Sequence, residues 1–146
     1  MLSLASRIFE KAGCTERRAN EVLKIMVIDD HAAEREQVEQ IAKSLAGVEW
    51  MGGFASPQDA LQEAVKNVPD VVIAAVELTD MNGLAFTGKL QEILPSVHVI
   101  VSSRSGRYAR EAYDAGARAY LIKPVGKENL MRVLDHVRTI SLHGEK

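Results

Sequence analysis

One cysteine, Cys14, stands in the 146 residues, so no intramolecular disulfide can hold this fold together. A lone thiol is compatible with a reducing compartment. Aromatic residues are almost as scarce: three Phe, three Tyr and one Trp make up 5% of the chain, so any core must rest on Val, Ile, Leu, Ala and Met. An excess of charge of one sign is missing too. Eighteen Lys and Arg against 20 Asp and Glu leave a formal net charge of -2, which gives no electrostatic reason for the body of the domain to bind nucleic acid. No apolar run approaches the ~20 residues a membrane-crossing helix needs. Arg7, Glu10 and Lys11 interrupt the N-terminal apolar stretch, so it does not read as a secretory leader. The expectation is a cytoplasmic protein without membrane association.

What is present is an alternation of short apolar runs with longer segments of helical period. Residues 24–28, apolar after Lys24, form a run ended by Asp29-Asp30, the pattern of a strand buried on both faces. Val38, Ile41, Ala42 and Leu45 then recur at helical spacing over 32–46. Val48 to Ala55 reads as a second strand weakened by Gly52-Gly53. Ser56-Pro57 offers an N-cap followed by Pro at the first helical position. Strands are expected at 71–76, 97–101 and 119–122, and helices at 83–93, 107–115 and about 127–140. Gly116 reads as the glycine that ends the fourth helix.

Five strands alternating with five helices imply an α/β fold, a doubly wound parallel sheet covered on both faces. In such sheets ligands bind outside the strand C-terminal ends, at a topological switch point. The residues there are Asp29-Asp30, Ala75 to Glu77, Ser102-Ser103 and Lys123-Pro124. Singly, each is most simply a cap, a loop start or a chain reversal. Brought to one sheet edge, two carboxylates suit a hard cation such as Mg²⁺, and an ammonium with a hydroxyl suits phosphoryl oxygens.

Four stretches in order carry a resemblance over about residues 24–140: Ile25 to His31, Pro69 to Ile73, Glu77 to Gly83, and Gly116 to Pro124. They resemble the receiver domain of two-component response regulators, which implies the flavodoxin-like strand order 2-1-3-4-5. By the resemblance, Asp29 and Asp30 hold Mg²⁺, and Glu77 lies where a main-chain carbonyl reaches the metal. Ser103 is the switch hydroxyl, Tyr120 the switch aromatic and Lys123 the phosphate-contacting lysine, followed by a cis bond to Pro124.

The chain departs from the family at three points. Counting six residues on from Pro69 and eight back from Gly83 both lead to Ala75, where the family carries its phosphoacceptor aspartate. Thr79 stands where Pro is usual. Arg104 follows Ser103 where a small residue leaves room for the phosphoryl group, and the loop after it is about two residues short. Two explanations of Ala75 stay open. One is a pseudo-receiver that is not an enzyme and acts through protein-protein binding, with weak or absent Mg²⁺. The other is an Asp-to-Ala variant of a phosphorylatable, Mg-dependent receiver controlling transcription or another output. The expected partners are a histidine kinase or downstream effector, docking on the face of Tyr108, Tyr113, Arg118 and Tyr120, or a second copy of the chain.

Residues 1–23 form a separate expectation: a helical extension with Leu4, Ile8, Phe9 and Ala12 on one face, then a second helix with Ala19, Val22 and Leu23 on its apolar side. It either packs back on its own domain or serves dimerisation or partner docking. Residues 141–146 are expected to be a tail.

Overall fold

The computed structural model describes residues 22–142. Ten main elements follow in order: β1 (Leu23–Ile28), α1 (Ala32–Ser44), β2 (Val48–Phe54), α2 (Pro57–Lys66), β3 (Val71–Ala75), α3 (Gly83–Ile93), β4 (His98–Ser103), α4 (Ala109–Asp114), β5 (Ala119–Ile122) and α5 (Lys127–Leu142). All pairings in the sheet are parallel, in the order β2-β1-β3-β4-β5. The expected strand order and five-plus-five alternation are both present.

The central strands carry no apolar alternation because both of their faces are covered. Ile25, Val27, Val71, Ile73 and Ile100 point into one layer, closed by Val38 of α1 and by Leu130, Leu134 and Val137 of α5. Met26, Ile28, Val72, Ala74, Val99 and Val101 point into the other, closed by Ala60 and Ala64 of α2, Phe86 and Leu90 of α3, and Ala112 of α4. Two helices thus cover one face and three the other. Each large aliphatic side chain buried this completely contributes about 2 kcal/mol relative to exposure, so the two layers fix the sheet edge on which the polar residues converge.

Boundaries differ from the sequence reading where hydrogen bonding overrides periodicity. Leu23, expected on a helix of the extension, is the first residue of β1: it pairs with Val48, and its N–H donates to the Gly47 carbonyl at 2.9 Å. The rest of the expected extension, residues 1–21, lies outside the described residues, as do residues 143–146 of the tail. The last helix runs through Leu142, beyond the expected domain end at 140. β4 runs on to Ser103 because Ser102 and Ser103 pair with Leu121 and Ile122. The fourth helix is shorter than expected. A 3-10 turn at Gly106–Tyr108, capped by the Ser105 side chain on the Arg107 N–H, takes its first residues.

The Gly52-Gly53 pair has a specific cause. Ile25 pairs with Trp50 and Met26 with Gly52, so Met51 is an extra, bulged residue. Gly52 then takes φ +142, which an L side chain rarely adopts. Ser56 does cap α2, accepting from the Asp59 N–H, with Pro57 at the first helical position. The Lys123-Pro124 peptide is cis. Among the described residues no helix is long and apolar enough to cross a membrane.

Candidate functional site

The C-terminal ends of β1, β3, β4 and β5 deliver Asp29-Asp30, Ala75, Ser103 and Lys123 to one edge of the sheet. Asp29 is locked by its own neighbours. Its N–H donates to the Phe54 carbonyl at 2.9 Å, and its carboxylate Oδ1 accepts the His31 N–H at 3.0 Å. Arg35 Nη1 donates to its carbonyl at 2.7 Å. This turn fixes where α1 starts and therefore where Glu34, in its first turn, points.

Lys123 is the hub. Its side chain is only 4% exposed, and its Nζ lies 2.8 Å from Asp29 Oδ2 and 2.7 Å from Glu34 Oε1. Burial alone would depress the ammonium, but the hydrogen bonds and charges of Asp29 and Glu34 outweigh it and hold its pKa above the ordinary value. The other Glu34 oxygen, Oε2, takes the Arg104 guanidinium at 2.6 Å. Burial would raise Glu34, but the Lys123 hydrogen bond and the Lys123 and Arg104 charges bring it below the usual range. Arg104, expected to crowd the pocket, instead reaches sideways to Glu34 with a side chain 60% exposed. No motif marks Glu34 in the sequence, although it stands one helical turn after the acidic pair, where α1 passes Lys123.

Asp30 is held differently. The Thr79 hydroxyl donates to its Oδ2, and chiefly for this reason its carboxyl sits below the usual range, against the opposing effect of burial. Its Oδ1 is buried without a hydrogen-bond partner, 3.3 Å from His31 Nδ1. Asp29, Asp30 and His31 bring one possible ligand atom each to within 4.8 Å of one another. The orphaned Oδ1 suits a cation, but both Asp29 oxygens are already engaged, one by Lys123 and one by the His31 N–H. Glu77, expected beside the metal, is not in this group. Its side chain is drawn to β4, where Oε2 accepts the Ser103 hydroxyl at 2.9 Å.

Ala75 ends β3, opposite Ser102 and fully buried. The chain after it returns closely: a Cβ built on Gly83 would stand 1.9 Å from the Ala75 carbonyl oxygen, and the Gly83 N–H donates to the Val76 carbonyl at 2.9 Å. Gly83 is required here by backbone approach.

The residues expected to form a docking face are brought to the β4–α4–β5 side but are unequally exposed. Tyr113 is 52% exposed. Tyr108 and Tyr120 pack half-buried against the second core layer, and the Tyr120 hydroxyl donates to the Ser105 carbonyl at 2.6 Å. Half-buried Arg118 donates from Nε to His98 Nδ1 at 3.4 Å, and the Arg107 guanidinium stands 5.3 Å over the Tyr108 ring.

Residues 25–135 match the family described as "Response regulator receiver domain". The chain is 28% identical over 113 residues to the sensory transduction protein LytT of Bacillus anthracis, covering 77% of this chain and 46% of that protein. It is 24% identical over 116 residues to the transcriptional regulatory protein LytR of Staphylococcus aureus, covering 80% and 47%. The chain thus spans a little under half the length of these curated relatives. Among solved structures, the signal receiver domain of the putative response regulator NarL from Mycobacterium tuberculosis superposes with a TM-score of 0.74 at 22% identity, over 81% of this chain and 98% of that one. A CheY-like receiver domain protein from Methanospirillum hungatei superposes with a TM-score of 0.73 at 22% identity, over 85% and 100%. With its family match spanning most of the chain and the receiver strand order in its sheet, this protein belongs to the response regulator receiver domains of two-component signalling.

Proposed function

We propose that this receiver signals without phosphorylation at the usual position and without catalysis of its own, as a module that binds a partner protein. The observation that carries the reading is Ala75, a fully buried methyl group at the end of β3 where the family resemblance places the phosphoacceptor. A methyl group has no lone pair with which to attack a phosphoryl donor. The surroundings support the same reading. The Lys123 ammonium, which would neutralise an incoming phosphoryl group, is already bonded to Asp29 and Glu34. A phosphoryl oxygen would have to displace one of these carboxylates.

Mg²⁺ at Asp29 and Asp30 belongs to this proposal as weak binding. The ion prefers near-octahedral oxygen ligands. Here two carboxylates remain, and one of them is shared with Lys123. The partner, a histidine kinase or a downstream effector, meets the β4–α4–β5 side, where Tyr113 offers the exposed aromatic surface. Control of transcription is what the name of LytR gives for that protein, of which this chain covers 47%.

The second reading, an Asp-to-Ala variant of a working receiver, draws on one observation: Arg104 already lies against Glu34, aside from the strand ends. The two readings separate in amide NMR spectra of the chain and of Ala75→Asp, each with acetyl phosphate and Mg²⁺. The unaltered chain is expected to keep its spectrum. Donor-dependent shifts across residues 103–123 of the unaltered chain would contradict the proposal. Such shifts in Ala75→Asp would support the second reading.

A further inference from the structure

We propose that Glu77 is a positioning residue: a resident anion that holds the turn after β4 and, through that turn, the Tyr120 side chain. This rests on the reading that no phosphoryl group sets this face, and it names the group that sets it instead.

The geometry is a chain of hydrogen bonds. Ser103 is fully buried at the end of β4, so its hydroxyl cannot turn to water. Its oxygen accepts the Ser105 N–H at 3.2 Å, and its proton goes to Glu77 Oε2 at 2.9 Å. A hydroxyl has one proton to give, and here Glu77 takes it. Ser105, so placed, does two further things. Its side chain accepts the Arg107 N–H at 3.0 Å and opens the 3-10 turn. Its carbonyl accepts the Tyr120 hydroxyl at 2.6 Å, drawing the ring of a β5 residue toward the turn and against the core layer.

The charge on Glu77 matters at the first link. A hydrogen bond to a carboxylate is about twice as strong as one between neutral groups. Polarising the Ser103 hydroxyl also makes its oxygen a better acceptor for the Ser105 N–H. Tyr120 is therefore tied to a fixed charge on the chain itself, two residues beyond Ala75. The β4–α4–β5 side is held in one arrangement with or without a phosphodonor.

The test is hydrogen exchange and tyrosine-ring NMR on the full chain, in chelator and without phosphodonor. The variants are Glu77→Ala, Glu77→Gln, Ser103→Ala and the double Glu77→Ala/Ser103→Ala. Glu77 is exposed, so its variants are expected to fold. Glu77→Ala should speed exchange of the Ser105 and Arg107 amides by about ten-fold and shift the Tyr120 ring signal while leaving Tyr113 unmoved. Ser103→Ala, which also removes the acceptor of the Ser105 N–H, should do at least as much, and the double variant no more than Ser103→Ala alone, because Glu77 acts only through the Ser103 hydroxyl. Glu77→Gln should fall between, since an amide keeps the acceptor oxygen and loses the charge. An unmoved Tyr120 signal in Glu77→Ala, or additive effects in the double variant, would overturn the proposal. Phosphorylation of the unaltered chain would defeat the function proposed above and leave these exchange results standing.

Discussion

Replacing Lys123 by Met tests how the strand-end cluster is held together. The substitution keeps the volume of the side chain and removes the ammonium. In the structure that ammonium is 2.8 Å from Asp29 and 2.7 Å from Glu34, with Asp29 only 6% and Glu34 22% exposed. Removing one member of a buried ion pair costs about 3–5 kcal/mol, because the other charge is stranded. Glu34 is the less costly of the two carboxylates to strand, since it keeps Arg104 and some solvent. The Asp29 carboxylate keeps the His31 N–H on Oδ1, while Arg35 reaches the main-chain carbonyl of Asp29 and not its charge. The expected loss is therefore at the lower end, about 3 kcal/mol. At a urea dependence of about 1.5 kcal/mol per molar, that lowers the unfolding midpoint by roughly 2 M. Glu34→Gln, which leaves the Lys123–Asp29 bond in place, should cost about 1 kcal/mol. A Lys123→Met variant within 1 kcal/mol of the parent would show that the cluster is solvated and the ion-pair argument wrong.

Three further outcomes follow from the same geometry. Glu34 and Asp30 are both held below their ordinary values of 4.5 and 3.8, so their contributions are complete above those values and are lost as the pH falls below them. Lys123 is held above its ordinary value, so its contribution is complete below 10.5 and lost only in stronger alkali. Urea midpoints should thus change little between neutral and mildly alkaline pH and drop in acid, with Glu34→Gln showing a smaller acid drop. Gly83→Ala drives a methyl group into the Ala75 carbonyl and should destabilise by about 3 kcal/mol or prevent folding; near-parental thermal stability would mean the loop retreats freely. Calorimetric titration with Mg²⁺ should give millimolar-range affinity, weakened further by Asp30→Asn; micromolar affinity would show that two carboxylates suffice.

The fold was readable in the sequence because each central strand is a short, unbroken apolar run closed by polar residues at its C-terminal end. Asp29-Asp30 and Lys123-Pro124 mark those ends directly. What was misread depended on contacts between segments distant in sequence. Leu23 looks helical from its spacing to Ala19 but is claimed by the Gly47 carbonyl and by Val48 at the start of the parallel strand β2. Gly52 weakens β2 on paper, while the bulge at Met51 makes it the suitable residue there. The site divides the same way. Motif spacing located Asp29, Asp30, Ala75, Ser103 and Lys123. The partners of Glu34, Glu77 and Arg104 depend on which way long side chains turn across the strand ends, and residue order does not carry that. Glu77 illustrates it: the resemblance placed it beside the metal, but the buried Ser103 hydroxyl needs an acceptor and takes its carboxylate.

The most direct measurement is intact mass spectrometry of the chain after incubation with acetyl phosphate and Mg²⁺, with Ala75→Asp as the comparison. No mass gain of one phosphoryl group is expected on the unaltered chain, because Ala75 offers no nucleophile and Lys123 is already paired. Acid-labile phosphate appearing on the unaltered chain, at Glu77 or any other group, would contradict a receiver that works without phosphorylation.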